Sequence, residues 1–379
     1  KQGLPSDMIN TLLAEGYSRN DSVGSSYVES QYENVLKGTK EVINVETRNN
    51  KIVKEIKQYG GKAGDNVELT INSDFQNKVQ KIMNDCVKSI VGGNPYSPGG
   101  YAVVMNPNTG GIYALAGVNR NVKTGKITDN ALGAINQTYV MGSVVKGAMV
   151  LGALKSGVIT PSNNTLTDEP IKLKGTATKS SWFNKTGGAN LSLTASDALE
   201  VSSNSYMMKL AMMEGGFNYV PGSALSLSNS IFYKLRSNFK QFGLGVKTGI
   251  DIPGEAKGFE GPANQAHIGN ALDLSFGNYD SYTTLQLAQY ISTIANGGYR
   301  LQPHLLKSIR STKRDGSLGE VKYEFEPNVL NVVGATDSQW NIVKEGLWKV
   351  VHGTSSYRTG TRLADIKPAV CAKSGTAQT

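Results

Sequence analysis

Hydrophobic and polar positions follow different patterns on the two sides of residue 64. Before it, apolar residues come in short groups, and their alternation over 43–59 predicts an exposed pair of strands. The glycine-rich segment 60–65 is typical of a linker. We therefore predict a small N-terminal region over residues 1–64 and a larger domain over residues 65–379.

Two short helices are also predicted in the N-terminal region. Ser6 and Asp7 are residue types that cap helices, and the stretch after them can be helical as far as Glu15. A second helix is predicted over 29–36, where a lysine and a glycine follow the last helical position. These helices and the strand pair are the elements expected before the linker.

Beyond the linker, the pattern changes repeatedly between the strand and helix periods. Alternation or short apolar runs predict strands over 67–71, 101–105, 112–116 and 368–372. Apolar residues at helical spacing predict helices over 74–91, 143–155, 195–213 and 284–296. Strands early and late in a domain with helices between them indicate the α+β fold class.

Composition and charge exclude some classes of protein. The formal net charge of +9 fits a solvated basic surface, or a polyanionic partner such as an anionic cell-envelope surface. Nucleic acid is not expected as a partner, because the chain has no arginine-rich patch and no zinc-ligand spacing. No apolar run approaches the ~18 residues that a transmembrane helix needs.

The cysteines and histidines give no indication of a metal or cofactor. Cys86 and Cys371 lie far apart in sequence, and we predict small buried side chains without a disulfide between them. His267, His304 and His352 do not have the spacing of a metal site. We therefore expect the protein to use neither a metal nor another cofactor.

One lysine stands alone in a long uncharged segment. Lys146 is the only charged side chain between residues 131 and 154, and the surrounding pattern is apolar on every face of a helix. Burial of an unpaired ammonium is costly and favours loss of its proton. Ser143 lies three residues earlier, on the same helix face and near the N-terminal end, where free N–H groups can stabilise an oxyanion.

Two interpretations of this pair remain open from the segment alone. A hydroxyl beside a lysine that can become neutral is a nucleophile beside its base, so Ser143 and Lys146 fit covalent catalysis. A serine that caps a helix, followed by a lysine whose amine reaches the surface, fits equally well. The same spacing recurs at Ser237 and Lys240, where polar surroundings favour a solvated lysine.

Two further motifs are weak individually but lie in suggestive places. The motif S-x-N at 202–204 falls between two amphipathic runs, where a turn is expected, and a turn at the rim of a cleft can present polar groups to a peptide. The motif K-S-G at 373–375 follows the apolar run 369–372 and continues into Thr376. An edge strand there could pair with a peptide, and its glycine would let the ligand approach closely.

In this order and context, the three motifs resemble those of class B penicillin-binding proteins, which are peptidoglycan transpeptidases. The resemblance covers nearly all of residues 65–379 and includes the segments 105–110, 248–254, 285–289 and 294–298. The stretch 24–38 resembles part of the family's N-terminal pedestal, and 143–146 with 352–355 look most like streptococcal members of the 2b type. The resemblance implies a penicillin-binding or serine β-lactamase-like fold: an antiparallel sheet flanked by helices, a buried nucleophile helix and a partial, extended pedestal.

The resemblance also implies a role for each residue of the first two motifs. Ser143 would be the nucleophile that is acylated, and Lys146 would be its base. Ser202 would relay protons, and Asn204 would bind an amide of the substrate.

The third motif would complete the site. Lys373 would keep the active-site field positive and help to depress the pKa of Lys146, while Ser374 and Gly375 would contact the substrate. Thr376 would bind the substrate carboxylate, and its backbone N–H would form the oxyanion hole together with that of Ser143.

The implied function is cross-linking of peptidoglycan stem peptides through an acyl-enzyme, with β-lactams as covalent inhibitors. Expected partners are other cell-wall synthesis proteins and the membrane, through an N-terminal anchor outside this chain, which would place the domain at the extracellular face. We also expect the natural protein to continue beyond Thr379 with further strands and a helix.

Two alternative functions use the same acyl-enzyme. A β-lactamase or D,D-carboxypeptidase would hydrolyse it and would need a second base, for which Glu169 and Glu200 are candidates by sequence proximity, although both are expected to be surface charges. A β-lactam-sensing receptor domain would bind the drug covalently without turnover, but it would not normally carry the pedestal stretch.

Overall fold

The computed structural model describes residues 3–90 and 92–377. Its helices are α1 (Ile9–Ala14), α2 (Tyr27–Gln31), α3 (Glu33–Leu36), α4 (Ser73–Ile90), α5 (Gly133–Asn136), α6 (Lys146–Ser156), α7 (Ala195–Glu200), α8 (Asn204–Glu214), α9 (Ser230–Gln241), α10 (Asn270–Ser275), α11 (Thr284–Ala295) and α12 (Asp337–His352). Its strands are β1 (Val42–Arg48), β2 (Lys51–Tyr59), β3 (Asn66–Leu69), β4 (Gly99–Met105), β5 (Ile112–Arg120), β6 (Ile127–Asp129), β7 (Tyr139–Val140), β8 (Leu166–Thr167), β9 (Ser192–Leu193), β10 (Ser281–Tyr282), β11 (Tyr299–Leu301), β12 (Leu306–Thr312), β13 (Leu318–Glu324) and β14 (Val329–Val332). These helices and antiparallel strand pairs confirm the predicted α+β class.

The chain divides into two compact units. The first comprises Lys1–Asp129, Gly249–Glu255 and Gln302–Asn328, and the second comprises Asn130–Thr248, Ala256–Leu301 and Val329–Thr379. None of the described helices is long and apolar enough to cross a membrane.

The first unit contains the larger antiparallel sheets, which have the orders β4-β5-β6 and β13-β12-β3. Helix α4 packs on β5, where the side-chain amides of Gln76 and Gln80 bond to the backbone at Leu115 and Gly117. The separate hairpin β1–β2 is exposed throughout β1, and it confirms the predicted strand pair.

Some local predictions in the first unit are wrong. Helix α1 follows Met8 and has no side-chain cap, so Ser6 and Asp7 do not cap it. The helix expected over 29–36 is two short helices, because the backbone of Tyr32 departs from helical geometry (φ −108°).

Helix α6 forms the centre of the second unit. It packs against α8, α9 and α12, and Ala148, Val150 and Leu151 are completely buried. A core helix was predicted from the absence of a polar face, and the structure confirms it. The predicted start differs, because a 3₁₀ turn over Gly142–Val145 precedes the α-helix and contains Ser143.

The predicted helix 195–213 is interrupted where the S-x-N motif was expected to form a turn. Helix α7 ends before the motif, and α8 begins at its asparagine. The Ser203 hydroxyl caps α8 by accepting a hydrogen bond from the Tyr206 N–H. A polar motif between two apolar runs therefore forms the corner between the two helices.

The predicted strand over 368–372 is wrong. Within the described residues this segment pairs with no strand, and its contacts include the hydrogen bond from Ala372 N–H to the Leu347 carbonyl (3.1 Å). A strand requires a neighbour to satisfy its backbone groups, and an apolar run does not provide one.

The prediction for the cysteines is also partly wrong. Cys86 and Cys371 are free, as expected, but both are exposed rather than buried. In α4, the neighbouring Val87 takes the buried position, which leaves Cys86 on the outer face.

Candidate active site

A left-handed glycine sets the position of Ser143. Gly142 has φ +60°, and its N–H donates to the Gly277 carbonyl (2.9 Å). A Cβ at this position would collide with the carbonyl oxygen of Thr376. Only glycine therefore allows the turn that carries Ser143 to approach the segment that carries the K-S-G motif.

Gly142→Ala should slow the β-lactam acylation that the family resemblance implies by at least about tenfold, the equivalent of 1.4 kcal/mol. The added carbon is disfavoured by the backbone angle and displaces Thr376 from the turn that carries Ser143. The measurement is the acylation rate constant. Gly157→Ala is the matched control, because Gly157 is also left-handed (φ +82°) but has no neighbouring atom within 4 Å of the added carbon. Equal acylation rates for the two variants would contradict this prediction.

Lys146 is completely buried and is held by the S-x-N corner. Its Nζ donates to the Ser202 carbonyl (2.8 Å), to Ser202 Oγ (3.2 Å) and to Asn204 Oδ1 (2.7 Å). Burial is the largest cause that lowers the pKa of Lys146 well below its usual range, and the charge of Lys373 is the second. The charge of Asp168 raises this pKa. The alternative of an amine that reaches the surface is therefore wrong.

Lys373 approaches the same hydroxyl from the other end of the chain. Its Nζ donates to Ser202 Oγ (2.8 Å) and to the Ser374 carbonyl (3.0 Å). Burial lowers the pKa of Lys373 to about 7. A hydroxyl oxygen can accept two hydrogen bonds and still donate one, so Ser202 can connect the two amines and keep a proton available.

Ser202 holds this position in a strained conformation. Its φ is +55°, which is uncommon for a residue with a side chain. The hydrogen bonds from Lys146 and one from Trp182 Nε1 to the Val201 carbonyl (2.9 Å) hold the corner in place. Strain of this kind persists where surrounding contacts determine the geometry, as they often do at functional sites.

The motifs meet at a cleft of about 460 Å³ in the second unit. Its ten described lining side chains are all polar or aromatic: Ser143, Trp182, Ser202, Asn204, Phe276, Asn278, Arg358, Thr359, Ser374 and Thr376. None of them is a carboxylate. Gly375 does not line the cleft, but a Cβ there would lie 2.5 Å from the Met141 carbonyl oxygen, so this glycine permits the close packing. The structure thus brings all the predicted site residues into one region.

The two glutamates considered as a second base lie elsewhere. Glu169 pairs with Lys209 at 2.5 Å. Glu200 accepts a hydrogen bond from the Ser355 N–H (2.8 Å) and is buried, so the expectation that it is a surface charge is wrong. Neither of them lines the cleft.

Sequence reasoning missed several residues around the site. Trp182 is 52% exposed at the cleft and makes edge contacts with Phe183 and Tyr357. The Ser374 hydroxyl donates to Thr359 Oγ1 (2.7 Å), which ties the third motif to the cleft wall. Asp168 was missed too, and it has no local pattern that could have revealed it.

The sequence and fold match known proteins over the whole chain. Residues 100–379 match the penicillin-binding protein transpeptidase domain, and residues 2–69 match the penicillin-binding protein dimerisation domain. The second match confirms the expected likeness to the pedestal. The boundary between residues 64 and 65 stays a prediction.

Individual relatives in the family also match the whole length of this chain. Penicillin-binding protein 2B of Streptococcus pneumoniae serotype 4 is 38% identical over 385 residues, which cover 100% of this chain and 56% of that protein. Penicillin-binding protein 2A of Bacillus subtilis is 40% identical over 384 residues, which cover 100% of this chain and 52% of that protein. The chain thus spans little more than half the length of these relatives.

A solved structure agrees with the sequence comparison. Penicillin-binding protein 2B from Streptococcus pneumoniae strain R6 matches with a TM-score of 0.90 and 37% identity, covering 100% of this chain and 61% of that chain. The expected likeness to the streptococcal 2b type is confirmed, alongside comparable identity to Bacillus proteins. The chain therefore belongs to the penicillin-binding protein transpeptidase family.

Proposed function

We propose that the protein is a serine D,D-transpeptidase that cross-links peptidoglycan stem peptides through an acyl-enzyme on Ser143. The observation that carries this proposal is the hydrogen bonding of Ser202 Oγ, which accepts from both Lys146 and Lys373 beside the nucleophile turn. Such an arrangement provides a weakly basic amine, a second cation and a proton relay within one cleft.

Acylation begins with proton transfer from Ser143. The depressed pKa of Lys146 favours the neutral amine, which has a lone pair that can accept the serine proton. Ser143 Oγ then attacks the carbonyl between the two terminal D-alanines, and the backbone N–H groups of Ser143 and Thr376 stabilise the oxyanion. The C–N bond breaks as Ser202 passes its proton to the departing D-alanine and receives one from Lys146, which becomes neutral again.

In deacylation the protons move in the opposite direction, and an acceptor amine takes the place of the departed D-alanine. The amine of a neighbouring stem peptide attacks the acyl carbonyl and loses a proton to Lys146 through the same relay. The new amide forms, and Ser143 recovers its hydrogen. Before acylation, Thr376 would hold the terminal carboxylate of the donor peptide and Asn204 one of its amides, and both residues line the cleft.

Hydrolysis of the acyl-enzyme is disfavoured by the chemistry of the cleft. Activation of water would need a second base, and among the residues that the structure describes no carboxylate lines the cleft. A β-lactam would acylate Ser143 in the same way as the peptide, but its leaving group stays attached to the acyl group and obstructs the incoming amine. The match to the dimerisation domain favours a wall enzyme over a sensor domain.

Partners and location follow from the same proposal. The substrate is part of the cell wall, so the catalytic domain would act at the outer face of the membrane, held there by an anchor outside this chain. Other wall-synthesis proteins are the expected partners.

A labelled penicillin tests this function. We expect one adduct per protein molecule, on the peptide that contains Ser143, and we expect it to persist throughout the incubation. Loss of the adduct within seconds would favour a β-lactamase. A stable adduct without any cross-linking of lipid-linked wall precursor by the full-length protein would favour a sensor.

A further inference from the structure

A carboxylate is completely buried behind the S-x-N corner. Asp168 Oδ2 accepts hydrogen bonds from the hydroxyls of Ser181 and Ser203, both at 2.5 Å. Its other oxygen accepts from Asn184 Nδ2 (3.0 Å). A buried carboxylate is costly unless it is paired or fully hydrogen-bonded, so these three donors explain how the side chain is tolerated.

The two serines connect this carboxylate to the start of α8. Ser181 Oγ accepts from the N–H groups of Asn204 (2.9 Å) and Ser205 (3.2 Å), and Ser203 Oγ accepts from that of Tyr206 (2.9 Å). A hydroxyl that accepts from backbone N–H groups must donate its single hydrogen elsewhere.

Asp168 takes the hydrogen of both serines, because an ionised carboxylate can only accept. The first turn of α8 is therefore held by a chain of hydrogen bonds that ends on Asp168. The helix dipole favours a negative charge at that end of the helix.

The same corner binds Lys146, so Asp168 lies one layer behind the base. Lys146 donates to Ser202 and Asn204, the residues on either side of Ser203. The charged groups that act on Lys146 are Lys373, which lowers its pKa, and Asp168, which raises it. Asp168 thus places a single negative charge behind Lys146.

Other polar groups on the surrounding helices are engaged elsewhere. The pairs are Lys209 with Glu169, Lys234 with Glu214, Arg236 with Asp280, Lys240 with Glu260, Lys349 with Asp197, Glu200 with the Ser355 N–H, Tyr206 with the Asn164 carbonyl, and Tyr290 with the Val144 carbonyl.

We propose that Asp168 is a positioning residue for the acylation reaction, which fixes the Ser202–Asn204 corner through two serine hydroxyls and supplies a negative charge behind Lys146. This inference rests on the proposed function, because acylation is its readout. It assigns two separable effects to one side chain: a geometric effect through the serines and an electrostatic effect through the charge.

Asp168→Asn tests the electrostatic effect. The amide oxygen can still accept from the serines, but the charge is lost, so neutral Lys146 is favoured. Acylation requires neutral Lys146, and the acid limb of its pH profile should therefore move to lower pH, by on the order of one pH unit. Glu169→Gln is the matched control, because it removes a carboxylate one position away that pairs with Lys209, and its pH profile should not move.

Ser181→Ala tests the geometric effect and leaves the carboxylate in place. It removes the acceptor of the Asn204 and Ser205 N–H groups, so the maximal acylation rate should fall by about tenfold, at an unchanged pH midpoint. Circular dichroism and thermal melting establish that each variant is folded. If Asp168→Asn does not fold, the acylation rate of Ser181→Ala decides whether the positioning role stands.

The outcomes separate this inference from the proposed function. A wild-type protein that is not acylated by penicillin would overturn both. With wild-type acylation established, a folded Asp168→Asn with an unshifted acid limb would overturn the electrostatic role. A Ser181→Ala variant with a wild-type rate would overturn the positioning role.

Discussion

Replacing Ser143 by alanine should abolish covalent labelling by penicillin while reversible binding in the cleft persists. The cleft contains other hydroxyls, and Ser202 is the nearest rival as a nucleophile because it contacts both amines. Its oxygen, however, already accepts two hydrogen bonds, which use the lone pairs that attack would require. Ser143 lies instead in the turn next to Thr376, where an oxyanion hole would form.

The chain offers a matched control for this variant. Ser237 has the same spacing to Lys240 as Ser143 has to Lys146, but it lies in α9, away from the cleft lining. Ser237→Ala should be labelled like the wild type. If the Ser143→Ala protein is still labelled and the adduct lies on Ser202, then Ser202 is the nucleophile and Ser143 is not.

Lys146→Met should slow acylation by about 10²–10⁴-fold, the usual contribution of general acid–base catalysis. Methionine fills much of the same volume without the amine, so the buried site remains occupied and the fold should persist. The wild-type rate should rise with pH as Lys146 loses its proton, because only the neutral amine can act as a base. The variant should lack this rise. Stopped-flow measurements with a chromogenic β-lactam across pH provide both the rate and its profile.

Lys240→Met is the corresponding control. Lys240 is 41% exposed and pairs with Glu260 at 2.8 Å, as expected for the solvated member of the two S-x-x-K motifs. It should keep both the wild-type rate and the wild-type pH profile. An unchanged rate in Lys146→Met would remove Lys146 from the role of base.

Much of the second unit could be predicted because local pattern and tertiary environment agree there. The uncharged stretch around Lys146 predicted a core helix, and the polar residues between two apolar runs predicted the corner at 202–204. The site itself was predicted from the order and context of three motifs, since each motif alone is weak and S-x-x-K recurs at Ser237 and Lys240 in α9, where the lysine is solvated.

Three of the errors concern properties that the local sequence pattern does not determine. The apolar run 368–372 has strand composition but no strand beside it in the described residues. Cys86 is exposed because Val87 takes the buried position in α4. Asp168 is defined by Ser181 and Ser203, which lie 13 and 35 residues further along the chain, so no local motif contains it.

Acyl transfer from a donor peptide to an amine is the most direct test of the proposed function. The full-length protein is incubated with a stem-peptide donor that ends in two D-alanines, with and without an amine acceptor, then digested and analysed by mass spectrometry. We expect the peptide that contains Ser143 to carry the donor acyl group without its terminal D-alanine, and the amide product to form when the acceptor is present. An acyl group on any other residue, or the free acid as the only product in the presence of the acceptor, would contradict the function proposed for Ser143.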